Sequence, residues 1–163
     1  MLPIKHIYNG KPRLCTQDRI DSSSCSRLSN FDHLQSCLRD AKRHGYALGV
    51  KLVRGAYHTQ EQAAASGVVW TQKSETDECY AKCVSLILSS IQDDISKGSR
   101  SSSPQAPSVG VLFGTHNWDS CRQILRELVE RKMADDIGSG VISISQPVAE
   151  RLQIAQLYGE WLL

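Results

Sequence analysis

The chain has 163 residues, enough for one domain with a sizeable core and short for two. A hydrophobic content of 40% and a charged content of 22% are ordinary for a globular domain, and a net charge of +2 is too small to imply nucleic acid or an anionic membrane surface. No apolar run approaches the roughly 20 residues a membrane-crossing helix needs.

Residues 1–29 have weak periodicity and a Ser-rich stretch from Asp21 to Ser29, so they read as irregular. Met1 to Arg13 is basic but has no apolar segment or amphipathic pattern, and no signal or transit peptide is expected there. A helix is predicted from Asn30, a good N-cap, with Phe31, Leu34, Cys37, Leu38 and Ala41 on one face. Gly45 ends it, and Lys42, Arg43 and His44 suit the negative end of its dipole. A strand follows at about 47–54, then a short helical turn at Thr59–Ala65 closed by Gly67.

A second long helix is predicted over Asp77–Ile95, with Tyr80, Cys83, Val84, Ile87, Leu88, Ile91 and Ile95 as its buried stripe and Ser74–Asp77 as capping groups. Ser96 to Ser108 reads as a solvated loop. Beyond it come a strand at Val109–Phe113 and a helix from Trp118 to Lys132. Val141–Ile144 suits a short strand, Pro147 opens a short helix, and Leu152–Leu157 closes the series as a strand. Alternating helices and strands imply a parallel α/β sheet, either open or closed into a barrel, with ligands at the strand C-termini.

Six cysteines are present, with no CxxC pair and no zinc-ligand spacing. Cys37, Cys83 and Cys121 fall at apolar helix positions, so reduced core thiols are the expectation.

Two fragments at strand ends could carry chemistry. In Gly49-Val50-Lys51-Leu52-Val53-Arg54-Gly55-Ala56-Tyr57, Lys51 and Val53 share one face of a strand and Arg54 takes the other. Lys51 either offers its charge to an electron-rich cofactor or forms a structural ion pair with an acid. Gly55-Ala56 permits close backbone approach to a ligand or simply makes a turn, and Tyr57 can stack or hydrogen bond. Thr115, His116 and Asn117 stand just before a helix start, a place that favours phosphate; the alternative is that Asn117 only caps the helix. There is no GxGxxG, P-loop or nucleophile elbow.

The nine residues from Gly49 to Tyr57, with Glu61, Thr76-Asp77, Tyr80, Thr115-His116-Asn117 and Gln156-Leu157-Tyr158-Gly159, resemble proline dehydrogenase of the mitochondrial eukaryotic type in order and spacing. The similarity runs over about residues 31–159. It implies a partial (β/α)8 TIM-like barrel, roughly units four to seven, over 30–159, flanked by atypical segments at 1–29 and 160–163. It also implies FAD as cofactor and oxidation of L-proline to Δ1-pyrroline-5-carboxylate, in proline catabolism to glutamate. Electrons would pass to a quinone, in the mitochondrion, with peripheral inner-membrane association of the full-length family member.

By resemblance Lys51 lies beside the isoalloxazine, Val53, Gly55 and Ala56 line the flavin, and Tyr57 shapes the pocket next to proline. Thr115, His116, Asn117 and Gln156 are cofactor contacts, and Leu157 packs against the substrate ring. The family's early strands, with a flavin-side Lys and an acidic residue, have no counterpart here, nor does the final helix with its paired arginines. The chain by itself is therefore expected to hold FAD weakly and not to oxidise proline. The alternative reading is a non-catalytic fragment with residual flavin-nucleotide or partner binding.

Overall fold

In the computed structural model, which describes residues 19–21, 30–53, 73–98 and 109–156, the first predicted helix forms as α1, Asn30–His44. Leu34, Leu38 and Ala41 are buried along it, four and three residues apart as one helix face requires. Gly45 stops it with φ +67, and the N–H groups of Gly45 and Tyr46 both donate to the Ala41 carbonyl, at 2.9 and 3.2 Å. A left-handed residue at this place satisfies carbonyls that the helix leaves open.

The chain then runs into β2, Leu48–Val53, where Leu48, Val50 and Leu52 are buried and Gly49, Lys51 and Val53 alternate with them on the other face. Helix α2 spans Lys73–Gly98 and exceeds its predicted length at both ends. Ser74–Asp77 therefore lie within the helix rather than ahead of it, and Ser96–Gly98 belong to the helix rather than to the loop. Nothing in either flank forbids helix: Glu75 sits in the first turn and Lys97 in the last, both favourable to the dipole.

Strand β3, Val109–Gly114, repeats the alternation of β2, with Val109, Val111 and Phe113 buried. Helix α3, Trp118–Glu130, ends two residues before the predicted Lys132. Lys132 adopts φ +58, its N–H bonds the Val129 carbonyl at 2.9 Å, and the Met133 N–H reaches Leu128 at 2.9 Å. That bonding closes the helix and turns Met133 inward.

Val141–Ile144 is a strand, β5, but it is not part of the parallel sheet. It pairs antiparallel with β4, Ala134–Gly138, across a turn in which Gly138, Ser139 and Gly140 all have positive φ. Asp136 Oδ1 accepts the Gly138 N–H at 2.8 Å, an Asx turn that the sequence reading passed over. A short helix α4, Gln146–Ala149, carries Pro147 in its first turn and leads into β6, Leu152–Ala155.

The main sheet has the order β1-β2-β3-β6 with every pairing parallel. Its first strand, β1, is Arg19–Asp21, inside the segment read as irregular. The correction has a simple cause, since three residues paired in register with Lys51–Val53 are too few for a sequence pattern. The predicted turn at 59–65, together with Ile7-Tyr8-Asn9, lies outside the described residues.

Strand order rises with chain order, and α1, α2 and α3 all pack on one face, where Leu52, Phe113, Ile87, Leu88, Ile91, Ile124 and Leu128 form the core. Each such side chain stabilises the fold by about 1.5–3 kcal/mol relative to exposure. A doubly wound sheet would carry helices on both faces. Here, among the described residues, the second face bears no helix, and Lys51, Val53, Leu112 and Gly114 on it are only half-buried. No helix among the described residues is long and apolar enough to cross a membrane.

Cys37, Cys83 and Cys121 are thiols outside any disulfide, as expected. Burial pushes the Cys83 thiol up to about 11 and raises Cys121 as well. Cys79, in contrast, is disulfide-bonded.

Candidate functional site

The helix-free face is where the sequence placed its chemistry. Parallel register aligns Lys51 with Leu112 and Leu112 with Gln153, and one layer nearer the strand C-termini it aligns Val53 with Gly114 and Gly114 with Ala155. Below them Gly49 stands opposite Gly110. Because partners in a parallel ladder point to the same side, these rows line a single surface.

That surface is shallow by construction. A methyl group added at Gly49 would meet nothing within 4 Å, whereas one at Gly114 would come to 3.2 Å from Val53 Cγ2. The glycines leave backbone open to a flat ligand, and the Gly114 contact is too tight for a larger residue unless Val53 moves. The Lys51 side chain makes no ion pair or hydrogen bond among the described residues. Of the two readings left open for Lys51, no structural ion pair is found among the described residues. A cation with no ion pair among the described residues, beside glycine positions, fits a planar, electron-rich group such as the isoalloxazine of a flavin.

The second cluster is more self-contained. Thr115 is buried, donates its N–H to the Ala155 carbonyl at 3.2 Å, and accepts the Asn117 N–H on its hydroxyl at 3.0 Å. The first bond extends the β3–β6 ladder by one residue and brings the two strand ends together. Asn117 Oδ1 accepts the N–H groups of Asp119 and Ser120, at 2.8 and 3.1 Å, so Asn117 is the N-cap of α3. The capping alternative holds for this oxygen, and Asp119 in the first turn adds a negative charge beside it. His116 is half-buried between them and has interactions of its own.

Gln156 is exposed, just past the end of β6. Gly55, Ala56, Tyr57 and Leu157 lie outside the described residues. What sequence reasoning passed over is Gln153, which shares the row of Lys51 two strands away. Only strand register reveals it, because 101 residues separate no recognisable pattern from its partner (Lys51 to Gln153).

Lys51, Val53, Thr115, Asn117 and Gln156 all come to the C-terminal side of one parallel sheet, the position at which α/β enzymes bind ligands. The class so defined is an α/β domain whose parallel sheet carries the described helices α1–α3 on one face. The family model for proline dehydrogenase matches residues 27–159, and the chain belongs to that family.

Among curated relatives, mitochondrial proline dehydrogenase 1 of Caenorhabditis elegans is 29% identical over 130 residues, which is 79% of this chain and 18% of that protein. Mitochondrial proline dehydrogenase 1 of Arabidopsis thaliana is 29% identical over 133 residues, 78% of this chain and 22% of the relative. Hydroxyproline dehydrogenase of Bos taurus is 28% identical over 111 residues, 65% of this chain and 22% of the relative. The chain thus spans about a fifth of the length of these relatives. No solved structure matches.

Proposed function

We propose that this chain carries one side of an FAD site used to oxidise L-proline to Δ1-pyrroline-5-carboxylate, in an arc of a (β/α)8 barrel. The observation that carries the reading is Lys51, a cation with no acidic partner among the described residues, set beside glycine positions on the face that bears none of the described helices. Family membership agrees with it. Ascending strand order with helices on one face is the arrangement that a barrel arc requires.

Bound there, FAD supplies the acceptor for the hydride that leaves proline, and the protein supplies orientation and charge. Lys51 would favour the negative charge gained on reduction. Val53 and Gly114 would set how closely the ring approaches the strands, and Thr115, His116 and Asn117 would contact the nucleotide part. Gly55 and Ala56 would line the flavin, Tyr57 and Leu157 would flank proline, and Gln156 would contact the cofactor. A quinone would accept the electrons, in the mitochondrion where four of the relatives are named to belong.

The test is purification of the protein, measurement of flavin retained after FAD loading, and dye reduction with proline and, separately, with hydroxyproline. Flavin binding with proline-dependent reduction supports the proposal and overturns the expectation that the chain by itself is inactive, and a protein that binds no FAD overturns the flavin reading. The chain's share of its relatives' length favours a second reading, in which FAD binds without turnover. The same assay separates the two.

A further inference from the structure

We infer that Gln153 is a flavin-positioning residue, a step that rests on the FAD reading above. Register joins Lys51, Leu112 and Gln153 into one row running across three neighbouring strands. The burial pattern fixes their side: Leu152 is buried on the helix face, and Gln153, next to it, is exposed on the opposite one. Leu52 and Phe113, the outward neighbours of Lys51 and Leu112, are likewise fully buried.

Two strand spacings separate the Cα atoms of Lys51 and Gln153 by about 10 Å. From Lys51 to Gln153 the row therefore offers a cation, a half-buried leucine as floor and a carboxamide, with Arg19 of the edge strand β1 in register beyond Lys51. That span is comparable to a three-ring planar heterocycle. A carboxamide both donates and accepts, which suits the alternating N–H and carbonyl groups along a flavin's pyrimidine edge. The Gln153 side chain has no hydrogen-bond partner among the described residues, so its donors and acceptor are available to a ligand. Gln156 lies beyond the strand end, a layer or more away from the row of Lys51.

The experiment is FAD titration by flavin fluorescence, with the midpoint potential measured on the same samples, for the unsubstituted protein and for Gln153→Leu, Gln153→Glu and Lys51→Met. Loss of one hydrogen bond in Gln153→Leu is expected to weaken FAD binding about three- to tenfold. Gln153→Glu is expected to lower the midpoint potential, because its carboxylate opposes the charge gained on reduction. If both Gln153 variants match the unsubstituted protein while Lys51→Met changes affinity or potential, the assignment of Gln153 is overturned and the flavin reading stands. If the unsubstituted protein itself binds no FAD, both fall. Gln153 is exposed, so neither substitution threatens folding.

Discussion

The two faces of the parallel sheet are built from the same strands and obey opposite rules. On the helix-backed face, Leu52, Phe113 and Val109 meet Ile87, Leu88 and Ile124, all of them 1% exposed or less. On the other, glycines, a lysine, a leucine and a glutamine stand half-buried or exposed with few partners. Close packing sets stability on the first face, and openness leaves room for chemistry on the second. A single strand serves both because successive side chains point to opposite sides.

The largest expected effect tests that division. Phe113→Ala should cost about 3–5 kcal/mol of unfolding free energy, since it empties a fully buried aromatic site. Leu112→Ala, one residue away on the open face, should cost less than half as much. Urea denaturation of both variants checks this, and equal losses would mean that the second face is packed as well.

The next effect asks how dry the helix-backed layer is. The folded state holds the Cys83 proton to about 11, against the ordinary thiol value of 9.0 in the unfolded chain. A raised pKa means that the folded state binds the proton more tightly. Stability from this group is therefore complete below pH 9 and declines from pH 9 to 11, as the unfolded thiol ionises. The loss is of the order of 2–3 kcal/mol, and Cys83→Ala should flatten that part of the pH profile. Native-state alkylation gives a companion readout, with Cys83 slower than half-buried Cys37.

The smallest effect lies where the faces meet, at the end of β3. Asn117→Ala should cost about 1 kcal/mol through loss of the α3 cap, whereas Asn117→Asp should be nearly neutral because aspartate caps as well. The comparison separates capping from any cofactor role. An Asp variant that keeps its urea midpoint but binds FAD more weakly would show that Asn117 also faces a phosphate.

Much of this arrangement is legible before folding. The stripe from Tyr80 to Ile95, the alternation in Leu48–Val53 and Val109–Phe113, and the glycine stop at Gly45 follow from periodicity and backbone freedom, which are local. The misreadings are all non-local or fall at boundaries. β1 owes its existence to pairing with β2, and β5 reads as a sheet strand until the positive-φ turn folds it onto β4. Helix α2 runs past its predicted limits because nothing in either flank forbids helix, and Glu75 and Lys97 suit the dipole at its two ends.

By itself the sequence determined the kind of fold and the family, and it singled out the two fragments around Lys51 and Thr115. Hydrophobic period and motif spacing are properties of the chain alone, so both survive without coordinates. Only the tertiary structure decided that the helices share one side, that Lys51 lacks an acidic partner among the described residues, that Asn117 caps α3, and that Gln153 stands in line with Lys51. Those outcomes depend on register between strands distant in the chain, which hydrogen bonding between neighbours sets and no local pattern encodes.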